Sequence, residues 1–543
     1  MNCLSRTLLS IAATATIALT VPAVASATDY CIQTGCGGTN VNGLQEALDE
    51  AQKSTDADRV FLGAGVYTSQ SSFGFKYNGT GPVEIIGNSL NDTVLTAPLG
   101  ATAVLTMKGG VGSSVHDVTI KLPQYSNGDG LYTSNAARRI YVTDEYEQSH
   151  PRRGVTLVSG GTLEDSEVRL VREPNTTAVE LGLGGGTVRR SIASAGTGVM
   201  SRYGDGKIEG SSVTGTEFGV RALANVTTVR STAIHLIGGN GTGIRADTQT
   251  ASTTLNADGV TVTAPPLPDV VGVSATTALA PAQSARVKLT NSILRGGGKP
   301  LFAQSTGTGE AIVAASYSDY DPGFDTSSGA NASLAEANVS NVGDAGFVAW
   351  DYANYRLLPT SKLVDAGDPA TAQGVDLDGN PLVADGDGDG NARRDMGAFE
   401  LPSAGPGGGG PGGGGPVSTE PADTLAPVIR GFSATRTVFS VARTSTPLAA
   451  RAPGGTRLRY ILSERARVTV AIKRAVRRGG RIRLRTVGSL TRAGAEGANT
   501  IRFSGRIGRR ALRPGRYKTV IRATDAAGNR SRPQTVRLRV KRS

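Results

Sequence analysis

Between Thr162 and Leu294 one short pattern of apolar and polar positions returns at nearly regular intervals. It reads apolar-x-x-Ser/Thr/Asp-x-apolar: Leu163-Glu-Asp-Ser166-Glu-Val168, Ile208-Glu-Gly-Ser211-Ser-Val213, Val229-Arg-Ser-Thr232-Ala-Ile234 and Leu255-Asn-Ala-Asp258-Gly-Val260. A second series falls between the copies, each a glycine followed by an aliphatic: Gly198-Val199, Gly219-Val220, Gly243-Ile244 and Gly272-Val273. Both advance by one or two lengths of about 20–29 residues, the mark of a solenoid whose units bury their apolar faces only by stacking. The units are rich in Val, Ile, Thr and Ser and broken by Gly, Asn and Asp, so each reads as two or three short strands joined by turns. None carries apolar residues at i, i+3, i+4 and i+7, which sets helical and leucine-rich repeats aside. The expectation is an all-β fold, a right-handed parallel β-helix with inward Val, Ile and Leu and with glycines at bends needing positive φ.

The same patterning marks the flanks. Asn40 to Lys53 is one amphipathic helix with Leu44, Ala47, Leu48 and Ala51 on a single face, placed to cap the open apolar end of the first coil. After the β-helix, residues 401–424 are dominated by Gly and Pro and read as a flexible linker. From 425 to 543 alternating strands return, among them Ala466-Arg-Val-Thr-Val-Ala-Ile-Lys and Tyr517-Lys-Thr-Val-Ile-Arg, with turn signals between them, which predicts a small β-sandwich.

Composition adds compartment and charge. Residues 1–27, with Arg6, an apolar run and Ala25-Ser26-Ala27, read as a secretory signal peptide; the resulting expectation is a secreted, extracellular or cell-wall-associated protein, without a membrane span in its mature part and monomeric. Cys31 and Cys36 are then the mature chain's cysteines, and a close pair in an exported protein predicts a local disulfide. No further cysteine and no nearby histidine completes a metal set there. The net charge of +12 is unevenly spread: 30 of the 57 Lys and Arg but 3 of the 45 Asp and Glu lie from Leu425 onward, leaving 27 against 42 before it. An acidic solenoid with a basic tail points to an anionic partner for the tail.

Cys31 to Cys36, the helix, Val60-Phe-Leu-Gly-Ala-Gly-Val-Tyr67 and Ile85-Ile-Gly87 resemble the start of exported bacterial β-helix proteins of the pectate-lyase-like superfamily. Tyr355-Arg-Leu-Leu-Pro-Thr-Ser361, Val364-Asp-Ala-Gly367, Asp376-Leu-Asp-Gly-Asn-Pro381 and Asp395-Met-Gly-Ala-Phe-Glu400 resemble the choice-of-anchor Q module, about residues 340–400 within a β-helix domain of 28–400. That module typically closes such β-helices in surface-associated proteins. Leu512-Arg-Pro-Gly-Arg-Tyr517 and Ala523 to Ser531 resemble the closing strands of bacterial immunoglobulin-like or fibronectin-like modules. These resemblances imply architecture; the superfamily holds lyases, hydrolases and members with no assigned reaction.

Candidate chemistry lies in three places. The stretch from Asn127 to Gly154 gathers Asp129, Arg138, Arg139, Asp144, Glu145, Glu147, His150, Arg152 and Arg153, residue types with which a β-helix lyase holds Ca²⁺ against a uronate and removes its α-proton. Asp385, Asp387, Asp389 and Asp395 are candidates for a structural Ca²⁺ site, although Met396 stands where an EF-hand places its bidentate Glu. In the tail, Arg481, Arg483 and Arg485 share one strand face, with Arg506, Arg509, Arg510, Arg513 and Arg516 following, and form a candidate anion-binding surface. No aromatics interleave them, which disfavours nucleic acid and leaves a cell-wall polymer or acidic polysaccharide as partner. His116 and His235 sit inside strand patterns and read as packed or surface side chains. The functional expectation is a surface carbohydrate-binding or structural and adhesive protein, with a lyase or hydrolase acting on an acidic polysaccharide as the alternative; the lone Trp350 and few aromatics weigh against many sugar-stacking subsites.

Overall fold

The computed structural model describes residues 27–144, 151–249, 251–277, 283–321, 325–349, 354–370, 373–403, 427–441, 455–462, 466–478, 481–494, 497–507, 510–524 and 530–541. Residues 1–26, most of the segment expected to be a linker, and Glu145, Glu147, His150 and Arg509 lie outside them. The chain divides into two compact units, Met1–Gly409 and Gly410–Ser543.

The first unit is a parallel β-helix with three strand columns. One coil runs through Arg152–Leu157, Gly161–Glu164 and Glu167–Arg169 before Thr176–Leu181 begins the next. We number the columns by their place after the capping helix. In the first sheet Leu163 stacks on Val188, then Ile208 and Val229. In the second, Val168 stacks on Ala193, Val213, Ile234 and Val262. The third sheet has 11 strands, in which Val155, Val179, Val199, Val220, Ile244, Val273 and Leu301 form one inward line. All of these side chains are buried in one continuous core, and ten inter-strand steps make the third sheet about 48 Å long. The glycine-aliphatic series is therefore the third sheet, and its four aliphatics stack as the spacing predicts. In the other series the fourth copy is out of register: Thr232 pairs with Val260, so Val262 rather than Val260 follows Ile234.

The first and second sheets meet at a tight corner. A residue with positive φ recurs there coil after coil, at Asp117, Arg139, Asp165, Arg190, Gly210, Ser231, Gly259 and Asn291. The next residue supplies a hydroxyl on many coils. Ser166 Oγ accepts the Ile140 N–H (3.1 Å) and donates to the Glu164 carbonyl (2.6 Å); Ser191 Oγ accepts from Ser166 N–H (3.2 Å) and Ser211 Oγ from Ser191 N–H (3.2 Å). Ser292 and Ser318 repeat the arrangement further along. Amides that the bend would leave buried and unpaired are thereby satisfied.

Helix α1, Leu44–Ala51, is shorter than the expected 40–53 but buries the predicted Leu44, Ala47, Leu48 and Ala51 in the solenoid core. Gln45 ties it down, donating to the Lys76 carbonyl (3.0 Å) and accepting the Lys76 N–H (2.9 Å) at the first strand of the third sheet. Cys31 and Cys36 form the expected disulfide, Cα to Cα 5.7 Å. The segment from about 354 to 401 differs from a terminal closure. It folds back along the flank of the second sheet: Arg394 pairs with Asp258 (2.9 Å), Ala398 N–H reaches Thr261 Oγ1 (3.0 Å), and Ser231 Oγ donates to the Val375 carbonyl (2.8 Å).

In the second unit a three-stranded sheet (Ile429–Ala434, Thr456–Leu462, Gly497–Phe503) and a five-stranded sheet (Val438–Ser440, Gln534–Lys541, Gly515–Thr524, Ala466–Arg478, Arg481–Gly494) share one core. Leu458, Tyr460, Val468, Val470, Ile472, Phe503 and Ile521 are at its centre, a β-sandwich as the strand pattern predicts. No helix among the described residues is long and apolar enough to cross a membrane.

Candidate functional site

The outward side of the third sheet carries the densest chemistry of the solenoid. Strand register places Tyr132, Thr156, Glu180, Met200, Arg221, Arg245, Ser274 and Phe302 in one outward row, because each alternates with the inward aliphatic line. Cations lie against aromatic rings along it. Lys108 Nζ is 4.4 Å from the Tyr132 ring centre, the Arg221 and Arg245 guanidinium groups are 4.5 and 5.7 Å from that of Phe218, and Lys299 Nζ is 5.3 Å from that of Phe302. Arg202 lies 5.9 Å from the exposed Tyr203 ring. The acids of this face are held beneath arginines: Arg153 on Asp129 (2.7 Å), Arg202 on Glu180 (3.6 Å), and both Arg221 (2.7 Å) and Arg245 (2.5 Å) on Asp247. Two cations share one carboxylate at Asp247, so the face carries excess positive charge there.

The described residues of the stretch expected to be catalytic stand in three separate places, while Glu145, Glu147 and His150 lie outside the described residues. Asp129 and Arg153 lie on the third sheet, where Thr156 Oγ1 also donates to Asp129 (2.5 Å). Arg138 and Arg139 lie at the corner of the first sheet, Arg138 near Glu164 (3.7 Å) and Arg139 on Asp117 (2.7 Å). Asp144 and Arg152 form a buried pair at 3.0 Å, and burial raises the Asp144 carboxyl above its ordinary range. A carboxylate and a base directed at one sugar need convergence within hydrogen-bond reach, and these side chains are dispersed over separate sheets and the interior.

His235 was the signal that strand patterning hid. Its Nδ1 meets Thr263 Oγ1 (2.7 Å) and Tyr355 Oη (3.1 Å), and Thr263 Oγ1 donates to Tyr355 Oη (2.8 Å). Burial, followed by the nearby Arg172 charge, lowers the His235 pKa, while burial raises that of Tyr355. His235 and Tyr355 line a flank cavity of about 780 Å³ with Pro265, Pro266, Arg295 and Phe347. The cavity exists because Tyr355 folds back from 92 residues beyond Thr263. His116 is a different case, bonded to Asp117 (2.8 Å) and Glu84 (3.0 Å); the Asp117 bond above all raises its pKa.

Of the expected calcium ligands, the structure brings Asp385 and Asp387 together and adds Asp365. One carboxylate oxygen from each lies within 4.8 Å of the others, a set of oxygen donors that could hold a hard cation. Asp389 instead accepts the Asn391 N–H (2.7 Å), and buried Asp395 accepts the N–H groups of Asp365 (2.8 Å) and Leu401 (2.7 Å). Met396 is core. In the tail, Arg485 and Arg510 are exposed, whereas the side chains of Arg481 and Arg483 lie outside the described residues.

No family model matches the sequence, and no curated protein is significantly similar. Among solved structures, the A-module of the mannuronan C-5 epimerase AlgE4 of Azotobacter vinelandii is similar at 14% identity over 55% of this chain and 90% of its own, with a TM-score of 0.29. Pectin methylesterase from carrot follows at 12% identity, 62% and 89% coverage and a TM-score of 0.28. The enzymatically active domain of bacteriophage CBA120 tailspike protein 4 covers 91% of this chain and 63% of its own at 10% identity, TM-score 0.27. The architecture of this chain rests on its own strand pairing.

Proposed function

We propose that this is an exported carbohydrate-binding protein of the cell envelope that lays an acidic polysaccharide along the outward side of its third sheet. The observation that carries the reading is the row of cation-on-aromatic pairs at Tyr132, Phe218 and Phe302, with excess positive charge at Arg221 and Arg245. Flat apolar rings suit the C–H faces of sugars, and guanidinium forks suit uronate carboxylates. Binding is favoured over hydrolysis or elimination because Asp129, Glu180 and Asp247 are each engaged by an arginine. The signal-like leader and the resemblance to a choice-of-anchor Q module and an immunoglobulin-like tail support the envelope setting.

The test is affinity electrophoresis through gels holding polygalacturonate, alginate or neutral dextran. Acidic gels retard the protein, and Phe218→Ala or Arg245→Gln weakens that retardation, each by about five- to tenfold if one cation–aromatic contact is lost. Equal retardation by dextran, or unchanged behaviour of both variants, overturns the reading. Release of unsaturated sugar, read by absorbance, would establish a lyase instead.

A further inference from the structure

The sandwich unit carries a second cationic surface beside the arginine-rich hairpin, of which the sequence pattern marked only Arg516. Cross-strand register sets Lys473 directly opposite Lys518, and Lys518 directly opposite Arg537, across three neighbouring strands of the five-stranded sheet. Arg516 faces Arg539 in the adjoining row. The inward neighbours Ile472, Tyr517 and Leu538 are in the core, so these five cations stand on the outer side of the sheet. Arg522, two pairs further along its strand, is exposed on the same side. None of the six forms an ion pair with an acid among the described residues. The chain has three acids from Leu425 onward, Glu464, Glu496 and Asp525, and all three lie outside the described residues.

Like charges directly opposite each other in a sheet are destabilising, whereas opposite charges there are favourable. A uniform ladder of this kind therefore costs stability in the free protein and is relieved when a polyanion lies across it. We propose that the outer side of the five-stranded sheet, centred on Lys473, Lys518 and Arg537, is a docking surface for a carboxylate-bearing polysaccharide. The surface differs from the third sheet of the solenoid in having no aromatic side chain among its described outward residues, so it holds its polymer by charge. Thr469 and Thr535 lie between the cations and supply hydroxyls for sugar oxygens. The same lack of aromatic platforms disfavours single-stranded nucleic acid.

The experiment uses the full chain, in the natural form and with the solenoid variant Phe218→Ala as a second background, so that failure of the solenoid reading does not hide or mimic this one. Polygalacturonate binding is followed by titration at rising salt for the triple variant Lys473→Gln/Lys518→Gln/Arg537→Gln and for a control, Arg457→Gln/Arg459→Gln, on the three-stranded sheet. In both backgrounds the triple variant is expected to bind about tenfold or more weakly at low salt with a shallower salt dependence, and the control to bind nearly as before. A second readout separates lost docking from lost folding: removing the repulsion should raise the low-salt melting temperature of the triple variant, with the gain vanishing at high salt. Unchanged affinity of the triple variant, equal losses from triple and control, or duplex DNA bound more tightly than polygalacturonate at the same salt would each overturn the proposal.

Discussion

Gly154 offers a quantitative test of how the solenoid core is built. Gly130, Gly154, Gly198, Gly219 and Gly243 open successive strands of the third sheet where it approaches the second. A Cβ on Gly154 would lie 2.2 Å from Val168 Cγ1, on Gly198 2.3 Å from Val213 Cγ1, on Gly219 2.3 Å from Ile234 Cγ2 and on Gly243 2.4 Å from Val262 Cγ1. Between Gly130 and Gly243 the one strand without a glycine at this position carries Ala178, and on that coil the second sheet carries Ala193 where its neighbours carry Val168 and Val213. The protein thus contains its own compensated pair. Gly154 has no positive φ, so Gly154→Ala is purely a packing change. Contact at 2.2 Å against an ordinary 3.5–4.0 Å cannot be relieved by rotation of a methyl. Overpacking of this kind costs about 1–3 kcal/mol, of which a smaller unfolded-state entropy returns about 0.5 kcal/mol. Val168→Ala alone costs about 2 kcal/mol through lost burial and a cavity. Together they reproduce the Ala178 and Ala193 arrangement, so the pair should cost about 1–2 kcal/mol less than the sum. Hydrogen exchange of the strands containing residues 152–181 measures each effect locally, which suits a solenoid that need not unfold in one step. A harmless Gly154→Ala, or penalties that simply add, would refute the reasoning.

Two further predictions concern protons. Burial and then the Asp395 charge push the Glu400 carboxyl up to about 9 from an ordinary 4.5, and burial pushes Asp395 up to about 7. An acid that holds its proton more tightly when folded contributes fully below its unfolded value and loses that contribution as pH rises through its folded one. Exchange protection of residues 354–401 should therefore decline from pH 4.5 towards about 9, and Glu400→Gln should flatten the decline; protection that rises over this window contradicts it. The chain's three histidines allow a direct check by imidazole NMR, with His235→Gln for assignment. His235, lowered by burial, should titrate below the ordinary histidine range and His116, raised by Asp117, above it; the reverse order would remove the electrostatic account of the flank cavity.

What was legible in the sequence was whatever packing forces on residue size. Val199, Val220, Ile244 and Val273 stack because a glycine before each is sterically required, and that requirement is written in the chain. The capping face of α1 was readable for the same reason, since four apolar residues at helical spacing have one place to go. Asp258 misled because Asp reads as a corner residue, whereas the corner of that coil is Gly259, whose positive φ needs no hydroxyl signal. The outward row from Tyr132 to Phe302 was out of reach, because it emerges only when uneven turns have been absorbed and the strands set in register. Asp365 and Tyr355 were missed because both reach their partners by folding back over distant chain, Tyr355 onto His235 and Asp365 beside Asp385 and Asp387.

The corner hydroxyls make the coils that carry them interchangeable. Ser191 serves its own coil by bonding the Arg189 carbonyl (2.8 Å) and the preceding coil by accepting from Ser166 (3.2 Å). A coil so equipped presents the same fittings above and below, and the duplication or loss of one whole turn would leave every remaining junction with a partner. Length is then adjustable in steps of one strand spacing, and with it the reach of the outward row and of any polymer laid along it as proposed.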